Sequence, residues 1–206
     1  MSAITRRAAL QFGLLCLVTP VAMAQEKPDA PGWRTRLVDA AREQIGVTTL
    51  YDPTYVRIGY PGGDVAPERG VCTDVVVRAY RRAFDLDLQR LVHEDMAANF
   101  AAYPKIWGLK ATDRNIDHRR VPNLAVFFGR RGVSLAVSQD PADYLPGDLV
   151  TQMLAPNVPH IAIVSYNRSA AAPERPLVIH NIGRGAQEED TLFAFEQTGH
   201  FRFAPA

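Results

Sequence analysis

The apolar residues change their period once along this chain, and that change decides the class of fold it can adopt. Up to Gly132 the spacing is helical. Trp33 to Ile45 sets Leu37, Ala41 and Ile45 on one face with Arg34, Arg42 and Glu43 off it, and Gly46 is a natural stop. Thr73 to Phe84 repeats the pattern, with Val76, Val77, Tyr80 and Ala83 inward and Arg78, Arg81 and Arg82 outward. Leu88 to Ala102 is a further amphipathic helix stopped by Pro104, and Pro122 to Arg131 opens on a helix-starting proline and closes at Gly132. Beyond the Pro146-Gly147 turn the runs are short and β-rich: Leu149 to Leu154, Ile161 to Tyr166, Leu177 to Ile182 and His200 to Phe203. Helices followed by an antiparallel meander is the order of an α+β fold.

The long stretch between the first two helices, Tyr51 to Arg69, is rich in proline and glycine and holds Tyr51, Tyr55 and Tyr60. A loop of that length in a compact domain is usually functional, and its tyrosines could line a cleft, although aromatics in an ordered loop more often pack it down. Asn167 to Pro176 reads as a loop between strands, and Glu188-Glu189-Asp190 as solvated charge near a turn.

The N-terminus reads as an export signal. Arg6 and Arg7 precede an apolar run from Ala8 to Val21 and a small-x-small site at Ala22-Met23-Ala24. Thr5-Arg6-Arg7 also invites a twin-arginine reading. The expected organisation is a signal peptide over 1–24, a flexible leader over 25–32 and one domain over 33–206, periplasmic or secreted. The apolar run is too short and interrupted for a stable membrane span. Cys16, lacking a small residue before it, is not a lipid-anchoring cysteine and leaves with the signal. About 180 residues remain, enough for one domain with a real core. A formal net charge of +1 points to neither nucleic acid nor an anionic membrane as partner.

Cleavage leaves a single cysteine, Cys72, in Gly70-Val71-Cys72-Thr73-Asp74, where a loop ends and a helix starts. With no partner for a disulfide, packing must carry the stability. Unpaired N–H groups and the dipole of a helix start favour a thiolate there. His160 and His180 each lie downstream in a short apolar run. A lone exported cysteine with distant histidines is a candidate nucleophile. Its rival is a metal site built from His93-Glu94-Asp95 and Asp117-His118, but adjacent residues splay about a helix and no paired histidines one turn apart occur. No metal or cofactor is expected. Asp117-His118-Arg119-Arg120 reads instead as a loop that orders a cleft or meets a substrate carboxylate, so Asp74, His118 and Arg119 are candidate substrate-binding residues.

Cys72 at a helix start, then Pro146-Gly147-Asp148-Leu149-Val150 and Pro159-His160-Ile161-Ala162-Ile163-Val164, resembles the NlpC-type branch of the papain-like cysteine peptidases. The whole mature chain is similar to a bacterial exported family of unknown function, family 1287, grouped with those peptidases. That likeness is carried by Ala41-Arg42-Glu43-Gln44-Ile45-Gly46, Tyr60-Pro61-Gly62-Gly63-Asp64, His93-Glu94-Asp95-Met96, Asn115-Ile116-Asp117-His118 and Ile179-His180-Asn181-Ile182-Gly183. The resemblance implies a papain-like fold with Cys72 as nucleophile, His160 as base and His180, or failing that Asn181, orienting the base. It also implies an upstream tyrosine at the oxyanion, Tyr60 by position with Tyr55 as competitor. The chain departs from the peptidases around the thiol, where Val71 and Thr73 replace their Asp-Cys-Ser flanks.

The expectation is an exported cysteine hydrolase cutting an amide in peptidoglycan stem peptides. The alternatives are an esterase or thioesterase acting on lipid or small-molecule acyl groups, and a non-catalytic wall-binding module. Oligomeric state is not readable from these residues.

Overall fold

A computed structural model describes residues 32–205. The expected signal peptide, Cys16 and all but the last residue of the expected leader lie outside the described residues. In chain order the elements are α1 (Trp33–Arg42), β1 (Leu50–Tyr51), β2 (Arg69–Gly70), α2 (Cys72–Phe84), α3 (Leu88–Ala98), α4 (Val121–Arg131), β3 (Val133–Leu135), β4 (Leu149–Ala155), β5 (Val158–Arg168), β6 (Pro176–Asn181), β7 (Ala186–Glu189) and β8 (Glu196–Arg202). Strands β3 to β8 form one antiparallel sheet in the order β3-β8-β4-β5-β6-β7, and β1 and β2 form a separate parallel pair. The architecture is α+β.

The expected helices are present with adjusted ends. α1 stops at Arg42, and the turns that follow carry the chain to Gly46, whose φ is +81°. α3 ends at Ala98, and after Asn99 the chain continues as one 3-10 turn, Phe100–Ala102, so the amphipathic pattern outlasts the α-helix by a turn. Four strands escaped the sequence. β1 and β2 have two residues each and β3 three, and β7 is polar after Ala186, so none shows the alternation that marks a half-buried strand.

The sheet is covered on both faces. Ile161, Ile163 and Ile179 pack against Leu37 of α1 and Val75, Val76 and Tyr80 of α2. Val150, Ala162, Val164 and Val178 face the other way, into a smaller cluster with Tyr144 and Leu192. Each fully buried aliphatic side chain here contributes about 1.5–3 kcal/mol. Covering both faces explains why β5 and β6 read as nearly continuous apolar runs.

The Tyr51–Arg69 segment is held from below by two residues of the helices. Arg78 of α2 pairs with Asp64 and bonds the carbonyls of Val65, Ala66 and Arg69. Gln89 of α3, wholly buried, accepts from the Gly63 N–H and donates to the carbonyls of Gly59 and Arg114. Gly63 is required, because a Cβ there would run into the Gly59 carbonyl. The parallel pair β1–β2 then closes the loop on itself and sets Tyr51 opposite Gly70.

Candidate active site

Cys72 is the first residue of α2 and is buried at the floor of a cleft of about 190 Å³. The helix start is fixed by Asp74, whose carboxylate accepts from the Val71 N–H, the backbone half of a capping box. Burial pushes the Cys72 thiol up to about 11; N–H groups of Ile161, Thr73 and Cys72 itself pull it down, and the charge of Asp74 lifts it. The expected thiolate is therefore overturned for the resting site. Desolvation outweighs the helix dipole, because the dipole term is worth at most about 2 kcal/mol.

The histidines come together. His160 Nε2 lies 2.8 Å from His180 Nδ1, and His180 Nε2 lies 3.0 Å from Glu189 Oε2. A carboxylate only accepts, so His180 must carry its proton on Nε2 and accept at Nδ1. His160 must then donate from Nε2, which leaves its Nδ1 as a lone-pair acceptor. Among the described residues that atom makes no hydrogen bond. Burial, then the neighbouring His180, drives His160 down to about 3. Burial also lowers His180, opposed by Glu189. The resting pair is thus a neutral thiol and a neutral imidazole. Among the described residues no hydrogen bond joins them: the thiol lies against the N–H of Ile161, one residue beyond His160. Such bonds are commonly long before substrate binds.

Glu189 was missed in the sequence, where Glu188-Glu189-Asp190 read as solvated charge. All three are engaged: Glu188 with Arg42 and Ser165, Glu189 with His180, Asp190 with Arg175 and Ser169. The signal was the turn, since Gly183 and Gly185 both have positive φ and let β6 fold back into β7. His180 then pairs with Gln187, which sets Glu189 on the diagonal of the same face.

Asn181 does not orient the base. Its amide donates to the Gly70 carbonyl at 3.1 Å and its oxygen accepts from Gly183 N–H, so it ties β6 to the loop before Cys72. Tyr60 is not at the thiol either; its ring packs edge-on against His93 at 5.2 Å, with Arg114 over its face. Tyr55 bonds Asp113 and Asn115. The tyrosine that lines the cleft with Cys72 is Tyr51. Burial, then the charges of Cys72 and Asp74, raise its hydroxyl above the ordinary range, so it stays a donor at neutral pH. No local motif announces it, because its position comes from the β1–β2 pairing.

The expected substrate-binding residues are mostly spent within the protein. Asp74 and Arg119 form a buried bidentate pair at 2.9 Å, and Arg119 also holds the carbonyls of Thr54 and Asp52. Arg119 reaches the cleft wall with four bonds already made inside the protein. His118 is buried, and burial pushes it down to about 4, with smaller opposing effects of Asp74 and Arg119. It is not among the lining residues of the Cys72 cleft. The rival metal constellation resolves into pairwise bonds, His93 with Asp117 at 3.0 Å and Asp95 with Tyr103, Arg130 and Arg131.

The fold and site thus define an α+β protein in which a helix-start cysteine meets the backbone of Ile161, the residue after the first histidine of a histidine–histidine–glutamate chain. Residues 38–203 match the family described as Domain of unknown function (DUF1287), and the chain belongs to that family. It is also similar to the uncharacterized protein YijF of Escherichia coli (strain K12), 55% identical over 167 residues that cover 81% of this chain and 80% of the relative.

Proposed function

We propose that this protein is an exported cysteine hydrolase on a papain-like scaffold of the NlpC type, cutting an amide bond in peptidoglycan stem peptides. The observation that carries the reading is the Glu189–His180–His160 chain, whose proton bookkeeping leaves His160 Nδ1 as an acceptor beside the strand position that contacts the thiol. The Cys72 sulfur attacks the carbonyl as its proton passes to His160, because neither group is charged at rest. The developing oxyanion takes hydrogen bonds from the Cys72 N–H and the Tyr51 hydroxyl. Collapse breaks the C–N bond, and the imidazolium protonates the leaving amine. Water, deprotonated by His160, then opens the thioester and restores the thiol. His180 and Glu189 hold the ring in its productive tautomer throughout.

The test is digestion of purified sacculi with fragments read by mass spectrometry. Wild-type protein is expected to release cut stem peptides, and Cys72→Ala to release none while folding normally. Chelator-sensitive release that survives Cys72→Ala overturns the reading. Two observations support other readings of the same cleft. The buried, high-pKa thiol suits a non-catalytic wall-binding module, in which Cys72 alkylates slowly and sacculi are bound uncut. The apolar wall of Trp107, Val121 and Pro122 suits an acyl-ester substrate, which release of fatty acid from ester probes would reveal.

A further inference from the structure

Two neighbouring arginines of the cleft wall have opposite fates. Arg119 is buried and makes four hydrogen bonds, to Asp74, Thr54 and Asp52. Arg120 lines the same cleft as Cys72, and among the described residues no carboxylate lies within ion-pair distance of it. Its guanidinium rests over the Trp107 ring, 4.1 Å from the centroid. Its Nη1 is sealed from water and bonded to nothing. The backbone cannot drift, because the Arg120 carbonyl accepts from the N–H groups of Asn123 and Leu124 at the start of α4. Of the acids nearest in effect, Asp113 is occupied by Tyr55 and Asn115, and Asp117 through its Oδ2 by His93 and the Asp113 N–H, while Asp117 Oδ1 is buried without a partner and makes no bond to Arg120.

A charged donor that is desolvated and unpaired is costly, and it is satisfied best by a group that presents two acceptor oxygens in a plane. The ring beneath fixes the fork in one orientation, and the remaining walls (Ile116, Val121, Pro122, Pro159) are apolar and offer no competing partner. We propose that Arg120 is the substrate-reading residue of this cleft, binding a carboxylate on the molecule that lies beside Cys72. On the hydrolase reading, on which this rests for its substrate, the protein acts on acidic peptides and discriminates against their amidated forms.

The experiment measures Cys72 alkylation in the folded full-length protein by two thiol reagents that differ only at their far end, iodoacetyl-glycine and iodoacetyl-glycinamide. In the wild type the acid is expected to react roughly tenfold faster than the amide, with saturation. In Arg120→Gln the preference is expected to vanish, and in Arg120→Lys to return in part. An acid-to-amide ratio unchanged by Arg120→Gln overturns the proposal. So does failure of both reagents to label wild-type Cys72, since the thiol is then unreachable from the cleft. If Arg120→Gln does not fold, protection of wild-type Cys72 from iodoacetamide by glutarate, but not by glutaramide, supports the proposal, and equal protection overturns it. An acid preference in a protein that leaves sacculi intact sinks the hydrolase reading alone and keeps Arg120 as a carboxylate site.

Discussion

The sheet carries two histidine–carboxylate systems, and they are built on opposite principles. At one side, Asp148 of the turn before β4 is wholly buried and accepts from His200 at 2.9 Å, from Arg202 through two bonds of 2.8 Å, from Arg34 at 3.2 Å and from the Leu145 N–H. His200 is closed as well, its other nitrogen against the Ala136 carbonyl and its ring stacked on Tyr144 at 4.3 Å. At the other side, Glu189 is partly open to solvent and leads through His180 to a His160 nitrogen that has no partner among the described residues. A closed circuit has nothing left to give a substrate, so the Asp148 system serves the fold. An open one stores an acceptor. The difference teaches that a histidine–acid pair is read by counting what its last atom still lacks.

The sharpest way to break the comparison is to delete the histidine from each system. On the proposed function, His160→Ala is expected to lower hydrolysis of stem peptides by roughly 10⁴-fold while the melting temperature holds, in line with loss of a catalytic base from a triad. His200→Ala is expected to do the reverse, leaving the rate near normal and lowering the melting temperature. Rates on released fragments and thermal unfolding of both variants check this. A His160→Ala protein that hydrolyses normally collapses the distinction.

Deleting the charge of each acid asks the same question of the carboxylates. Asp148→Asn strands Arg34, Arg202 and His200 around a neutral group and is expected to cost about 3–5 kcal/mol in denaturant unfolding. Glu189→Gln is expected to cost little stability, because Glu189 is partly solvated and pairs at the surface with Arg184. Its effect falls on rate, roughly a hundredfold, because an amide that donates to His180 reverses the proton order along the chain and turns the N–H of His160 toward the thiol side.

How far each system could be read in advance follows from the same contrast. The helices and the four main strands were legible because Leu37, Val76, Tyr80, Ile161 and Ile179 repeat at the period of their element. Cys72, His160 and His180 stood out because the chain has few such residues and they fall at element starts or within strands. Glu189 did not stand out, and Tyr51 could not be told from Tyr55 and Tyr60 as a cleft residue, since each owes its place to a backbone pairing. Glu189 depends on the β6–β7 hairpin, and Tyr51 on a two-residue parallel pair at the far end of a long loop. Asp74 and Arg119 were placed in the right neighbourhood and given the wrong task. Residue type tells what an arginine can bind, and only the packed structure tells that Asp74 already holds it.

Acid separates the two systems by pH. His160 stays neutral in the fold down to about 3, whereas in the unfolded chain it takes a proton near 6.5. Its depressed value gives stability that is whole above pH 6.5 and drains as pH falls toward 3. His118, at about 4, adds to the upper part of that window. Against the cost of its burial, hydrogen bonds from His200 and Arg202 hold Asp148 at about 2, below the ordinary 3.8. Its contribution, about 2 kcal/mol, is whole above pH 4 and lost as pH falls toward 2. Urea midpoints from pH 7 to 2 are expected to fall in two stages. His160→Gln should flatten the upper stage and Asp148→Asn the lower; a single stage that both variants flatten equally means the systems are not independent.

The smallest effects come from the tyrosine that each system keeps beside it. Tyr144 lies under His200 with its hydroxyl between Ser138 and Gln197, so Tyr144→Phe removes buried hydrogen bonds and is expected to cost about 1 kcal/mol of stability with no change in rate. Tyr51 is partly open to solvent and lines the cleft with Cys72, and among the described residues no side-chain bond holds its hydroxyl. Tyr51→Phe is therefore expected to leave unfolding unchanged and to lower kcat by about tenfold, less than a fully desolvated oxyanion donor because water reaches the site. An unchanged KM for the peptide would place the hydroxyl at the transition state rather than at the bound substrate. A tenfold loss in Tyr60→Phe with none in Tyr51→Phe would return the oxyanion to the tyrosine that sequence position favours. It would also show that the loop above Cys72 closes further when substrate arrives.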